Sequence, residues 1–235
     1  MKNNFRTQET RQRLLEAATD VFAENGYRNA TFREICLRAG ANIAAVNYHF
    51  RDKEHFYSAV VEHVIEQEKD SLQEVQSRAE MRASAEARLQ AFIRVVLNSL
   101  LKPERPPRLL RLLAREMMEP TPAMDLIVEK VARPVVKTLC GVISEILGEK
   151  AEPRLVMDCA SSVLAQCVSY HHSRAVIARL GVYPVYDQAT VDHLGEHITR
   201  FSLGALRSLR ETLEAAAMPA TPEGAQSRTS ENATV

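Results

Sequence analysis

The sequence has no tryptophan, only eight glycines in 235 residues, and no excess of charge of either sign. Because 30 basic residues balance 30 acidic ones, the composition disfavours a protein that coats nucleic acid by charge alone, although a locally basic patch is compatible with it. No apolar run reaches the roughly 18–20 residues that span a bilayer. Residues 1–13 are polar and lack the apolar core of a signal peptide. We therefore expect a cytoplasmic protein with no membrane contact.

Sequence signatures of catalysis and of structural metal are also missing. The chain contains no G-x-x-x-x-G-K-[ST], G-x-G-x-x-G or G-x-S-x-G motif, which gives an enzyme function little support and implies no cofactor. No C-x-x-C pair occurs, and each cysteine lies in an apolar helical pattern, which predicts buried, reduced thiols rather than disulfides or a zinc ribbon. These cysteines are Cys36, Cys140, Cys159 and Cys167.

Helical spacing dominates what is present, so the fold class is predicted to be all-α. Gly26 is expected to end the first helix as a left-handed C-cap, and Pro134 to kink a later one. Residues 214–235 are rich in Ala, Pro, Ser and Thr and are predicted to form a disordered tail. The predicted helices span about 7–25, 31–39, 42–50, 52–80, 84–101, 107–119, 122–147, 154–180 and 190–213.

Two short helices, 31–39 and 42–50, are joined by a tight turn at Gly40-Ala41, which is the spacing of a helix-turn-helix. Thr31 and Glu34 form a predicted capping box, and Asn42 and Asp52 are predicted N-caps of the next two helices. Nine Lys and Arg against seven Asp and Glu in residues 1–57 leave a net charge of only +2. The alternative is a packed corner with no ligand, so the case depends on which side chains the corner exposes.

Helical geometry divides those side chains into a core face and an open face. Asn47 has the amide that reads adenine, and the small Ala44 and Ala45 permit close approach to DNA. Tyr48 and His49 are predicted phosphate donors, while Thr31, Arg33 and Lys53 hold the DNA backbone on either side. The predicted core face comprises Ile35, Cys36, Ala39, Ile43, Val46 and Phe50, packed on Leu14, Ala18 and Phe22.

Residues 11–57 resemble the TetR family of bacterial repressors, through Leu14-Leu15-Glu16-Ala17-Ala18, Phe22-Ala23-Glu24-Asn25-Gly26-Tyr27, Ala30-Thr31-Phe32-Arg33-Glu34-Ile35, Ala39-Gly40-Ala41-Asn42, Tyr48-His49-Phe50 and Asp52-Lys53-Glu54. The resemblance implies a homodimer of about nine helices per subunit, with a DNA-binding domain at 1–57, linked through the helix 52–80 to a ligand-binding and dimerisation domain at 58–213. Val46 and Asn47 depart from many members, which carry Leu and an aromatic there, so the operator sequence is not transferable. The DNA-facing positions that it implies are Thr31, Arg33, Asn42, Ala44, Ala45, Asn47, Tyr48, His49 and Lys53.

The C-terminal region looks like one branch of this family, through residues 113–121 and 166–170. Wide apolar arcs on helices 154–180 and 190–213 predict a four-helix dimer seam, with an intrachain core as the alternative. The arcs consist of Val156, Cys159, Ala160, Val163, Leu164, Cys167, Val168 and Tyr170, and of Val191, Leu194, Ile198, Phe201, Ala205 and Leu209. Polar residues on otherwise apolar segments are candidates for an effector pocket, or are ordinary surface and satisfied interior groups. They are Arg115, Glu116, Gln166, Tyr170 and His171.

The motif H-x-x-E-H at 193–197 matches an inverted zinc-protease pattern, but its helix is explained by packing and a further carboxylate ligand is hard to place. A metal-responsive regulator and a helical protein–protein adaptor remain as alternatives. The function predicted from the sequence is a homodimeric regulator, a repressor, that binds a palindromic double-stranded DNA operator. A small-molecule effector is expected to release it by shifting the helix 52–80.

Overall fold

A computed structural model describes residues 2–70, 73, 84–101, 108–183 and 185–216, with side chains from residue 7 onward. The described residues are helical with no strand, which confirms the all-α prediction. None of the described helices combines the length and apolarity needed to cross a membrane. The helices are α1 (Lys2–Asn29), α2 (Phe32–Ala39), α3 (Ile43–Phe50), α4 (Lys53–Gln67), α5 (Ala85–Leu101), α6 (Arg108–Met118), α7 (Ala123–Ile127), α8 (Arg133–Leu147), α9 (Pro153–His172), α10 (Arg174–Arg179) and α11 (Gln188–Ala216).

The break predicted at Gly26 is present, because the non-helical backbone of this residue separates two helical stretches of α1. Gly26 has φ 76° and ψ 169°, a positive-φ conformation that favours glycine yet is not the left-handed helical cap that was predicted. Helical structure continues to Asn29, and the Ala30 amide donates to the Gly26 carbonyl at 3.2 Å. Residues 27–29, which were predicted to lie between the helices 7–25 and 31–39, are therefore helical.

Side-chain caps fix both ends of the short helices. The Glu34 amide donates to Thr31 Oγ1 at 3.2 Å, the Ala45 amide to Asn42 Oδ1 at 2.9 Å, and the His55 amide to Asp52 Oδ1 at 2.9 Å. All three predicted N-caps are confirmed, and Gly40 ends α2 in the left-handed conformation. The reciprocal half of the capping box is wrong. The Glu34 carboxylate accepts instead from Asn25 Nδ2 and from Arg38.

Three long predicted helices have different bounds in the structure. Helix α4 ends at Gln67, residues 69, 70 and 73 are again helical, and the rest of the helix predicted to reach residue 80 lies outside the described residues. The predicted helix 154–180 is broken at Ser173 into α9 and α10. Helix α11 extends to Ala216, so the predicted tail is wrong for residues 214–216, and the rest of it lies outside the described residues.

The distortion predicted at Pro134 is a π-helical turn over Val128–Ala132, between α7 and α8. Here the Arg133 amide donates to the Val128 carbonyl, five residues earlier. Proline has no amide proton and its ring crowds the carbonyl one turn before it, so the wider turn accommodates a residue that a regular helix does not.

The buried apolar side chains form two separate cores. The first core is built by α1–α4 together with α6 and α7, and the second by α5, α8, α9 and α11. Residues 108–132, which we call the bridging segment, therefore contribute to the first core and continue directly into a helix of the second. Sequence position alone did not indicate this arrangement.

Candidate nucleic-acid interface

Helix α3 is held rigidly on the first core by its inward side chains. Val46 and Phe50 are buried, and the Phe50 ring stacks on Phe56 at 4.1 Å between centroids. Phe56 in turn meets Phe22 edge to face at 6.2 Å. Aromatic burial of this kind contributes most of the energy that positions a short helix, because eight residues have little helical stability of their own.

The opposite face of α3 is open to solvent. Ala44, Asn47 and Tyr48 occupy positions i, i+3 and i+4, so they share one face, and all three are exposed. The Tyr48 side chain is 77% exposed, and its ring meets the His49 ring edge to face with 5.0 Å between the centroids. Ala45 is only partly buried. The arrangement presents an amide and a phenol on a capped helix, the chemistry that reads base edges and phosphates.

One residue of the predicted core face is misplaced. Ile43, the first residue of α3, is 50% exposed, although Val46 one turn later is buried. The other members of that face, and Leu14, Ala18 and Phe22 behind them, are buried as predicted.

Three of the residues predicted to contact DNA lie at or near the starts of α2 and α3. Thr31 and Asn42 are exposed N-caps whose oxygens accept from their own helices, which leaves the Thr31 hydroxyl proton and the Asn42 Nδ2 group available as donors. Arg33 is exposed on α2. The three groups lie at or near helix N-termini, where backbone amides favour an anion.

His49 and Lys53 are engaged within the protein. Burial, and then the charge of Arg11, lower the pKa of His49, so its ring is neutral at neutral pH. Lys53 Nζ donates to the Arg28 carbonyl at 3.0 Å and lies 5.1 Å from the centre of the Tyr27 ring, and burial lowers its pKa. An ammonium group has three protons, so two remain for a phosphate.

The five predicted effector residues are not brought together. Arg115 and Glu116 line a cavity of about 270 Å³ between the end of α1, α4 and the α6–α7 junction. Glu116 is only 1% exposed, and its carboxylate accepts from Tyr57 Oη, Thr121 N and Thr121 Oγ1. Arg115 Nη2 donates to the Glu24 carbonyl at 2.6 Å.

The other three lie on α9, next to the second core. Gln166 Nε2 donates to Ser202 Oγ and to the Ser162 carbonyl, both at 3.3 Å, and His171 Nδ1 lies 2.9 Å from the Leu100 carbonyl. Tyr170 packs edge to face on Tyr183, and burial raises its pKa. Each of these side chains thus has a polar or aromatic neighbour within the protein, as expected for an ordinary surface or satisfied interior group.

The apolar arcs predicted for a dimer seam are divided between inside and outside. Val191, Leu194 and Ile198 are buried within the same chain, whereas Phe201 is 63% exposed. On α9 the fully buried members are Val156, Ala160, Val163 and Cys167. Much of the surplus apolar surface is therefore intrachain core, and what remains uncovered is a narrower strip around Phe201.

His193 and His197 of the H-x-x-E-H motif are exposed, and their rings contact Tyr183 and Phe201. No cluster of three or more metal-ligating side chains occurs within the part of the chain that the structure describes. The four cysteines are free. Cys36 and Cys167 are buried, and Cys140 and Cys159 are partly buried.

Sequence reasoning missed Tyr57, Thr121 and the two arginines of α1 that approach α2 and α3. Arg11 lies 5.4 Å from the centre of the Phe50 ring, and Arg13 Nη1 donates to the Ala39 carbonyl at 3.3 Å. Tyr57 and Glu116 are 59 positions apart, so no local pattern signals their contact. The basic residues of α1 were visible in the sequence, but their proximity to α2 and α3 was not.

Comparison with known proteins now adds to the geometry. Residues 14–60 match the family model described as bacterial regulatory proteins, tetR family. Residues 85–206, more than half of the chain, match the model for the C-terminal domain of the HTH-type transcriptional dual regulator CecR. The chain belongs to the TetR family. It is thus a transcriptional regulator with a DNA-binding helix-turn-helix, in agreement with the resemblance seen in the sequence.

Individual relatives agree with this assignment. The HTH-type transcriptional dual regulator CecR of Shigella flexneri is 25% identical over 199 residues, which is 82% of this chain and 89% of that protein. A TetR-family regulator from Mesorhizobium loti has the same fold, with a TM-score of 0.57 and 20% identity over 87% of this chain and 98% of that one. AibR, solved with isovaleryl coenzyme A and operator DNA, has a TM-score of 0.59 and 17% identity over 82% and 97% of the two chains.

Proposed function

We propose that this TetR-family regulator is a homodimeric repressor that binds a palindromic operator and is released by a small molecule. The observation that carries the DNA-binding half is the exposed face of α3. Asn47 and Tyr48 project from a helix that is capped at Asn42 and anchored by Val46 and Phe50. We assign base reading to Asn47, close approach to Ala44 and Ala45, and backbone contacts to Thr31, Arg33, Asn42, Tyr48, His49 and Lys53.

The proposed dimer uses α9 and α11. Met157, Ser161 and Ala165 form an exposed strip on α9 at four-residue spacing, and Phe201 and Ala205 continue an exposed strip on α11. Small side chains let helices approach closely, while the two larger apolar groups gain burial from a partner. Two-fold pairing through these strips would present two copies of α3 to successive major grooves, about 34 Å apart or a multiple of that.

The proposed organisation keeps a DNA-binding region within residues 1–57 and a ligand-binding and dimerisation region within 58–213. Because AibR was solved with a coenzyme A thioester and operator DNA, acyl-coenzyme A compounds are the first class of effector to test. We place the effector beside Gln166, Tyr170 and His171 on α9, where polar groups border an apolar core. Arg115 and Glu116 line the cavity of about 270 Å³ described above, which is the alternative effector position.

The experiment is selection of bound oligonucleotides by the full chain, followed by measurement of affinity for the selected sequence. We expect one inverted repeat, whereas recovery of unrelated sequences would contradict the proposal. Isovaleryl-coenzyme A is then added to the complex, and release at micromolar concentration would identify the effector class. The absence of release across an acyl-chain series would remove that class and leave operator binding standing.

A matched pair of variants separates base reading from backbone contact. Asn47→Ala should relax base preference at one position of each half-site, by about 1–3 kcal/mol. Arg33→Ala should weaken binding to all sequences alike and reduce the salt slope by about one. Arg33 is a cleaner control than Lys53, whose ammonium group also holds the end of α1. If the two variants behave alike, Asn47 does not read bases.

A further inference from the structure

The bridging segment, residues 108–132, is placed where it can connect the two cores. Leu109, Leu112, Ala123 and Ile127 are buried in the first core with the residues that anchor the reading helix. The same segment continues through the π-helical turn into α8, which belongs to the second core. A displacement of α8 must therefore be absorbed either by the π-helical turn or by the packing of the bridging segment on α1 and α4.

Glu116 makes the one buried carboxylate contact of this packing among the described residues. Its Oε1 accepts from Tyr57 Oη of α4 at 2.9 Å and from Thr121 Oγ1 at 3.0 Å, and its Oε2 accepts from Thr121 N at 2.9 Å. Both Glu116 and Tyr57 are nearly inaccessible, at 1% and 2% exposure. A buried carboxylate without an opposite charge tolerates burial only while its hydrogen bonds are made, so the contact is specific in geometry.

Exposed polar contacts surround this buried one. Arg115 Nη2 donates to the Glu24 carbonyl, two residues before the positive-φ Gly26, and Lys130 of the π-helical turn pairs with Glu62 of α4. Exposed pairs contribute little individually and are screened by salt. They orient the segment, whereas the Tyr57–Glu116 bond fixes its depth and register on α4.

Tyr57 also contacts the aromatic cluster that anchors α3. Its ring lies 4.8 Å from Phe22, in an edge-to-face arrangement, and 5.1 Å from Tyr27. Phe22 packs on Phe56, which stacks on Phe50 at the end of α3. A continuous chain of packed rings thus leads from the Glu116 carboxylate to the reading helix.

We propose that Glu116, through Tyr57 and Thr121, is a positioning residue for operator binding, and that it sets the orientation of α3 relative to the C-terminal helices. This rests on the proposed function, and it locates the coupling in a lateral contact between the bridging segment and α4 rather than along α4 itself. The π-helical turn is the element that transmits movement of α8 to this contact. Ligand-induced displacement of α8 would loosen the Tyr57–Glu116 bond and misalign the two reading helices of a dimer.

The test compares Tyr57→Phe with Tyr186→Phe in the full chain. Tyr186 is equally buried, lies in the second core, and its hydroxyl has no hydrogen-bond partner among the described residues. At a temperature where circular dichroism shows both variants folded, Tyr57→Phe should bind the selected operator about tenfold more weakly, within the range of typical coupling. Its affinity for non-specific DNA should be unchanged, and Tyr186→Phe should match the wild type for both.

A purely structural role predicts a different result. If folded Tyr57→Phe binds the operator within twofold of the wild type, the proposal is overturned. The double variant Tyr57→Phe/Glu116→Gln removes the buried charge while keeping an acceptor for Thr121, so its stability should recover while operator affinity stays low. Recovery of operator affinity together with stability would also overturn the proposal.

Hydrogen exchange of the free protein keeps this test independent of the proposed function. Tyr57→Phe should accelerate exchange in α4 and in residues 119–127, and leave α9 unchanged. If the wild type selects no operator, the proposed function fails, and exchange still decides whether the contact fixes α4. Unchanged exchange in α4 would show that it does not.

Discussion

The hydroxyl of Tyr57 should contribute far more to the free energy of unfolding than the hydroxyl of Tyr186, although the two side chains are almost equally buried. Tyr57→Phe removes one of three donors to a carboxylate that is 1% exposed. Hydrogen bonds to charged groups contribute about 1.5–3 kcal/mol, and the carboxylate then keeps only its two Thr121 donors. We expect Tyr57→Phe to lower the free energy of unfolding by about 2 kcal/mol.

Tyr186→Phe is the same chemical change with the opposite expectation. Its hydroxyl is buried without a partner in the described part of the chain, so removal recovers a desolvation cost and loses no bond. The free energy of unfolding should stay equal or rise by up to about 1 kcal/mol. Thermal midpoints should therefore differ by roughly 4–10 °C for a chain of this size.

Urea unfolding followed by circular dichroism, at one protein concentration, measures both variants against the wild type. The slope of unfolding free energy against urea should be the same for all three, because none changes the surface exposed on unfolding. If Tyr57→Phe is no less stable than Tyr186→Phe, the Glu116 carboxylate does not depend on Tyr57. The electrostatic account of the contact would then be wrong.

Three further variants test the caps, the pH dependence and the dimer. Asn42→Ala should lower the thermal midpoint by an amount corresponding to about 1 kcal/mol, because the Ala45 amide loses its 2.9 Å acceptor, whereas Asn47→Ala should leave the midpoint nearly unchanged. Burial is the main cause that lowers the pKa of His63. The charge of Glu16 raises this pKa, and the charges of Arg108 and Arg11 lower it. The unfolded chain therefore binds more protons, so stability measured by urea titration should fall as pH drops below about 6.5, and His63→Leu should flatten that fall. Phe201→Asp should shift sedimentation towards the monomer. Val176→Asp, at a side chain of similar exposure on α10, should leave sedimentation unchanged. Dissociation by both variants or by neither would place the dimer interface elsewhere.

Local rules in the sequence were sufficient for the helix-turn-helix. Capping residues at Thr31, Asn42 and Asp52, with the left-handed Gly40 between the two helices, specify the turn through contacts only three or four positions apart. The same rules failed where a local pattern was not reinforced by burial. Helix α4 is interrupted at Glu68 within the predicted helix 52–80, and Ile43 is half exposed despite its place on the predicted core face.

Local sequence rules did not predict which residues join α6 to α4. Glu116 is a polar residue on an apolar helix, and the sequence allowed it to be a ligand contact, a surface group or a satisfied interior group. Its actual partners, Tyr57 and Thr121, are set by the way α6 packs against α4. Similarly, only packing shows that Gln166 and His171 already have hydrogen-bond neighbours on α11 and α5.

By itself, the sequence determined the helical class and the position and caps of α3, because periodicity, capping and turn conformation act over a few residues; its motifs also carried the resemblance to the TetR family. Tertiary structure alone decided that the bridging segment belongs to the core on which α3 packs, and that a buried carboxylate joins this segment to α4. Those contacts link positions tens of residues apart, and they depend on which faces of the helices have no other surface to bury against.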